Sequence, residues 1–318
     1  MRKRSYASLL FAQLFISSLQ LSSQIKPTDF PQMPGAILLT GYPGYCLALT
    51  TSGETQVIQQ GLSDTDIFAA MSRDESVIVS VYEKINGTQR QTPHLIFSVY
   101  STREKKWKDF EGRAYRVHAA LSPDGASLAY AATERDPRGS TRTHLHFIDI
   151  KTGVESVGPE IGVGDVPHFG NVPHLTWSPD SNRIAYSIEG STIEVMDLKT
   201  ERIEKVADGK SPVWSPSGEW IAYYDSKEVS NQIWIVHPDG TGAQLLATLP
   251  PDKWPHLGGS GQFAEPPVWS PDSKRILLNE SWDADKGTIA AQIVEVSTRK
   301  MTRAFKDRPP VWGWAEAK

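Results

Sequence analysis

One cysteine, no sustained helical period, no excess of one charge and no apolar run long enough to span a bilayer: absences define this 318-residue chain first. With Cys46 alone no intramolecular disulfide forms, so a hydrophobic core must hold the fold, and a chain of this length can bury one. Cys46 lies in the alternating stretch YCLALT and reads as a small core residue rather than a nucleophile. A net charge of -4 with interspersed signs leaves no footprint for nucleic acid, and any membrane association is expected to be peripheral at most. H-E-x-x-H, a P-loop and paired cysteines are all missing. The string nearest to a serine-hydrolase elbow, GGSGQ (Gly258 to Gln262), fails at its last position and falls in a loop between strands. SWDADKG places Asp283, Asp285 and Gly287 like the start of a calcium loop but lacks the distal Glu, so it reads as a solvated loop. No motif assigns a catalytic residue, a metal ligand or a cofactor, and none of these is expected.

What is present begins with MRKR, followed by the apolar SLLFAQLFI (Ser8 to Ile16) and the small, polar SSLQLSSQ. That order is a secretory signal peptide over residues 1–23, and it predicts a secreted or periplasmic protein. Residues 24–34 read as a linker. Beyond it, 39% hydrophobic and 22% charged residues describe a soluble globular chain.

The chain repeats a phrase. LSPDGASLAYAA (Leu121 to Ala132), WSPDSNRIAYSI (Trp177 to Ile188), WSPSGEWIAYYD (Trp214 to Asp225) and WSPDSKRILLNE (Trp269 to Glu280) are clear copies, and MSRDESVIVSVY (Met71 to Tyr82) is a weaker one. A broken copy, PPVWGWAEAK, ends the chain. Marked at Met71, Leu121, Trp177, Trp214, Trp269 and Trp312, the copies step by 50, 56, 37, 55 and 43 residues, the length of a four-stranded propeller blade with variable loops. In each copy an apolar residue or Trp closes one strand. Pro, Asp or Ser, and Gly then turn the chain, and an alternating β-rich run forms the next strand. The segment Gly35 to Gln60 holds strands without a WSPD strand ahead of them, and PPVWGWA is such a strand with nothing after it. A ring of sheets must close, and one blade shared between the two ends closes it without leaving a free edge. The expectation is an all-β, six-bladed β-propeller of four-stranded antiparallel blades over residues 35–318.

The run WSPDS, RIAYSI, TIEVMDL resembles the TolB-type, WD40-like (PD40) propeller repeat, also found in the propeller domains of prolyl-oligopeptidase-like peptidases. The resemblance covers roughly Asp64 to Trp314 and implies the fold; a propeller scaffold hosts unrelated activities, so it implies no single function. TolB's N-terminal α/β domain and the peptidases' α/β-hydrolase domain have no expected counterpart here.

Long connections mark the face on which function is expected. Those after second strands (Lys84 to His94, Glu134 to Arg142, Ser226 to Gln232, Ser281 to Gly287) and between blades (Gly158 to His174, Pro250 to Pro267) emerge on one side, opposite the short turns. There His118, His168, His174 and His256 precede first strands at the channel mouth. The candidate binding residues are His118, His174, Lys210, Glu265 and Arg308, joined by Trp254, His256 and Phe263 as an aromatic edge for a partner peptide or a sugar. Asn86 and Asn279 sit in glycosylation sequons. The function expected is that of a monomeric, exported, non-enzymatic binding protein that docks a protein or peptide. The alternative is a metal-assisted carbohydrate lyase or hydrolase at the channel mouth.

Overall fold

A computed structural model of the protein describes residues 30–42, 46–51, 54–60, 68–84, 94–113, 119–135, 141–163, 174–188, 192–225, 232–249, 266–280 and 289–316. The signal-peptide reading, most of the linker and the Asn86 sequon lie outside them. All regular structure among these residues is β-strand, laid out as a propeller of antiparallel four-stranded units.

The first sheet joins β1 (Ala36–Tyr42), β2 (Cys46–Thr51) and β3 (Glu54–Gln60) to the last strand of the chain, β23 (Val311–Glu316), in the order β23-β1-β2-β3. The second runs β4 (Phe68–Met71), β5 (Val77–Lys84), β6 (His94–Ser101) and β7 (Lys106–Arg113), and the third β8 (Ala119–Leu121), β9 (Ser127–Arg135), β10 (Thr141–Asp149) and β11 (Glu155–Val163). A seven-stranded sheet follows: β12 (Leu175–Trp177), β13 (Arg183–Ile188), β14 (Thr192–Asp197), β15 (Ile203–Trp214), β16 (Ile221–Asp225), β17 (Gln232–Val236) and β18 (Gln244–Thr248). The last is β19 (Val268–Trp269), β20 (Arg275–Asn279), β21 (Ile289–Glu295) and β22 (Met301–Arg308). The seven-stranded sheet arises because β15 serves twice, pairing with β14 through residues 203–208 and with β16 through residues 209–214. This is the 37-residue step of the repeat, where the chain passes from one four-stranded unit to the next without a loop.

The repeated phrase folds the same way each time. In the third sheet the Ser122 hydroxyl donates to Asp124 and accepts the Ser127 N–H, while Asp124 also accepts the Ala126 N–H. The same three bonds recur around Ser72 and Asp74, around Ser178 and Asp180, and around Ser270 and Asp272. The buried serine therefore pairs a backbone donor that the tight turn would otherwise strand. The fourth turn residue is left-handed in every copy. It is glycine at Gly125 and Gly218 only, while Glu75, Ser181 and Ser273 hold φ of 61°, 58° and 59° without a glycine's freedom.

Successive sheets stack through apolar faces. Tyr130 and Leu128 meet Val79, Phe97 and Phe110 of the second sheet, and Tyr186 and Trp177 meet Ala129 and Leu145 of the third. Indole N–H groups tie neighbouring inner strands: Trp177 Nε1 donates to the Ala120 carbonyl at 2.9 Å and Trp269 Nε1 to the Val213 carbonyl at 3.0 Å. The Arg183 guanidinium lies 4.8 Å from the centre of the Trp214 ring, across the boundary to the next unit.

Two sequence expectations change here. In PPVWGWA the tryptophan that takes the repeat position is Trp314, not Trp312. Trp314 stands opposite Leu38, as Trp177, Trp214 and Trp269 stand opposite Ile184, Ile221 and Ile276. Arg275 lies 4.9 Å from its ring, in the relation Arg183 has to Trp214. The cause is a bulge: Leu39 faces Gly313 while Thr40 faces Val311, so Trp312 has no cross-strand partner and packs instead beside Leu39 and Met71. The second change concerns Asn279, which is 1% exposed. Its amide donates to the Val311 carbonyl at 2.8 Å and accepts the Val311 N–H at 3.1 Å, so it clamps β23 and is no glycosylation acceptor in the folded chain.

Trp314→Ala is expected to cost about 3–5 kcal/mol in urea unfolding, as a large buried ring is lost. Trp312→Ala, at a half-buried bulge, is expected to cost clearly less; the reverse order would mean that the bulge is misassigned.

Candidate functional site

The inner strands β4, β8, β12, β15, β19 and β23 surround a central cavity of about 710 Å³. Its wall is mainly apolar and aromatic, with Trp177, Trp214, Trp269, Trp312 and Trp314 contributing from four strands. Toward the short turns it is rimmed by Pro123, Pro179, Pro216 and Pro271, and Arg73 holds the corresponding place in the weak copy of the repeat. These turns support one another: the Arg73 N–H donates to the Pro123 carbonyl at 3.1 Å and the Ser217 N–H to the Ser273 hydroxyl at 2.9 Å. Neighbouring turns of the rim are thus bonded to one another in two places.

Of the residues singled out from sequence, His174, Lys210 and Arg308 fall among the described residues, whereas His118, Trp254, His256, Phe263 and Glu265 lie outside them. His174 immediately precedes β12, is 4% exposed and lines the cavity; its carbonyl accepts the Ser187 N–H. Lys210 lies near the start of the inner half of β15, opposite Tyr224, and Arg308 ends β22, opposite Ile289. Both stand at the end remote from the short turns, but neither is part of the cavity wall, so of these three described residues only His174 lies on it. Among the described residues no group of three His, Cys, Asp or Glu side chains is placed to hold a metal ion.

The sequence reading missed the buried acids beside this mouth. Asp225, 8% exposed, closes β16, and Glu280, 7% exposed, follows β20, where its carboxylate accepts from the Gln292 amide. Both end the repeat phrase, at the place where other copies carry Ala132 and Ile188, and that contrast was the available signal. Burial pushes the Lys210 amine down, while the neighbouring Asp225 carboxylate works in the opposite direction. A further network joins Tyr130 and His146 to Glu155: both donate toward the same carboxylate oxygen, and the two rings stack at 5.0 Å.

The turn aspartates are held below their ordinary value. Hydrogen bonds from Ser76 lower Asp74, and the Ser178 hydroxyl lowers Asp180. Burial by itself would raise Asp272, but the Ser270 hydroxyl, the Lys274 N–H and Arg275 outweigh it.

With the geometry in view, the fold defines the class: this is a β-propeller. The solved structures it resembles include TolB from Acinetobacter baumannii, with a TM-score of 0.63 and 14% identity over 88% of this chain and 66% of that one. A chain of a nidogen–laminin complex gives 0.60 with 10% identity, covering 88% and 98%, and an oligogalacturonate lyase from Vibrio parahaemolyticus gives 0.55 with 12% identity, covering 86% and 80%. Among curated sequences, the Tol-Pal system protein TolB of Ruthia magnifica is 28% identical over 119 residues, which is 36% of this chain. Dipeptidyl-peptidase 5 of Porphyromonas gingivalis is 28% identical over 140 residues, or 42% of this chain. An uncharacterized protein of Agrobacterium fabrum is 26% identical over 151 residues, or 44% of this chain. The matched stretches span 25%, 19% and 47% of those relatives' own lengths. No family model matches the chain. Repeat sequence and fold together make the protein a TolB-like β-propeller.

Because the turn carboxylates are lowered in the fold, the stability they contribute is complete above the ordinary carboxylate value of 3.8 and is lost as pH falls through their lowered values. Replacing Asp74, Asp180 and Asp272 together by Asn is expected to flatten the acid limb of the pH–stability curve measured by urea unfolding.

Proposed function

We propose that the protein is an exported binding protein: a closed propeller of six blades that docks a protein or peptide partner over its loop-rich face. The blade count treats the seven-stranded sheet as two four-stranded blades sharing β15, and the sheet β23-β1-β2-β3 as the blade that closes the ring. Contacts between neighbouring inner strands support it: β23 lies beside both β19 and β4, β8 beside β4 and β12, and β12 beside β15. Export rests on the basic, apolar and polar order of residues 1–23.

The observation that carries the binding reading is the difference between the two ends of the cavity. One end is rimmed by short, internally hydrogen-bonded turns. The other receives the connections 85–93, 164–174, 249–267 and 280–288, all longer than those turns and all entering or leaving strands at the same end. Long connections on a rigid scaffold are the usual seat of recognition. His174, Lys210 and Arg308 stand at that end; His118, Trp254, His256, Phe263 and Glu265 are proposed with them from sequence alone. A second reading, a metal-assisted carbohydrate lyase or hydrolase, is supported by His174 on the cavity wall.

A photo-crosslinking residue placed at Lys210 or Arg308 is expected to form discrete adducts in the native host, and one at Thr152 or Thr200, on the turn end, is not. Adducts of equal yield from both ends would overturn the assignment. Stoichiometric metal in the purified protein, lost in His174→Ala, would favour the enzymatic reading instead.

Ring closure is tested separately. A chain ending at Arg308 loses β23 and is expected to unfold at clearly lower urea than the parent. Unchanged stability would contradict the closed ring.

A further inference from the structure

We infer that the mouth of the central cavity at the short-turn end is a site for a free apolar α-amino acid. It lies opposite the loop-rich face, so it stands or falls independently of partner docking there. The repeat itself marks the site. Two residues past the tryptophan position, each copy places one residue on the rim. In four copies that residue is proline: Pro123, Pro179, Pro216 and Pro271. In the other two it is charged, and the charges are opposite: Arg73 follows β4 and Glu316 ends β23. These two strands pack side by side. Both side chains are exposed and line the cavity, and neither forms an ion pair with another described residue.

The rest of the wall suits an apolar body. Its volume of about 710 Å³ is in the range of small-ligand sites. The indole N–H groups of Trp177, Trp214 and Trp269 already donate to backbone carbonyls, so these rings offer a ligand carbon surface and no donor. Two further carboxylates line the same end. Glu75 belongs to the turn that carries Arg73, while Asp272 is engaged by the Ser270 hydroxyl, the Lys274 N–H and, at 3.9 Å, Arg275.

A guanidinium holds a carboxylate through two parallel hydrogen bonds, and a carboxylate accepts from an ammonium. Opposite charges on adjacent strands therefore match a ligand that carries both charges on neighbouring atoms, as an α-amino acid does. A ligand of one charge would leave Arg73 or Glu316 unused. The prolines and indoles cover an apolar side chain, and an aromatic one gains stacking besides.

Calorimetric titration of the intact protein with L-phenylalanine tests the site, beside phenethylamine, which lacks the carboxylate, and hydrocinnamate, which lacks the ammonium. Phenylalanine is expected to bind at least about fivefold more tightly than either. Arg73→Gln should weaken phenylalanine to the level of phenethylamine and leave phenethylamine itself no weaker. Glu316→Gln should weaken it to the level of hydrocinnamate and leave hydrocinnamate no weaker. Both positions are exposed, so each variant is expected to keep the parent's β circular dichroism spectrum. Phenylalanine binding no tighter than its two analogues, or unchanged by either substitution, would overturn the proposal.

Discussion

Pairing between β1 and β23 is the interaction on which the rest depends. It joins residues some 270 positions apart and completes a four-stranded sheet from the two ends of the chain. Two buried side chains reinforce it: Thr40 donates to the Pro310 carbonyl at 2.8 Å, and Asn279 pairs both backbone groups of Val311. Without β23, the faces of Leu38 and Leu39 lose Trp314 and Trp312, and the sheets on either side lose a shared wall. Each propeller sheet buries both faces against its neighbours, so one missing strand exposes two interfaces at once.

The repeat supplies the rest of the fold locally. A serine that hydrogen-bonds two residues of its own turn, and an aspartate that caps the same turn, require little from elsewhere. That is why the turns survive replacement of Gly by Glu75, Ser181 or Ser273. Stacking then falls to residues that alternate along the second strand, with Tyr130, Tyr186 and Tyr223 each facing the preceding unit. The polar groups trapped there are matched: Tyr130 and His146 share Glu155, and Tyr186 donates to Glu194 at 3.0 Å. An unpaired hydroxyl at such a depth would carry a desolvation cost of about 1–3 kcal/mol.

The candidate site obeys a different logic. His174 reaches the cavity because it directly precedes a short inner strand. Lys210 is not on that wall; it lies where β15 runs unbroken from outer to inner position, opposite Tyr224. Both had been placed at the channel mouth from their position ahead of a repeat tryptophan. The two differ because one inner strand is preceded by a loop and the other by a strand.

The strand order within each unit, the turn chemistry and the existence of a closing strand were all written in the sequence. Each rests on local hydrogen bonding or on a two-residue period, and both are visible in a string of letters. Tertiary structure alone decided which tryptophan of PPVWGWA fills the repeat position, that Asn279 clamps a strand instead of carrying a sugar, and that Asp225 stands beside Lys210. In each case the deciding partner is remote in sequence or displaced by a bulge. A one-residue shift of register changes which face a side chain takes, and no local pattern records that shift.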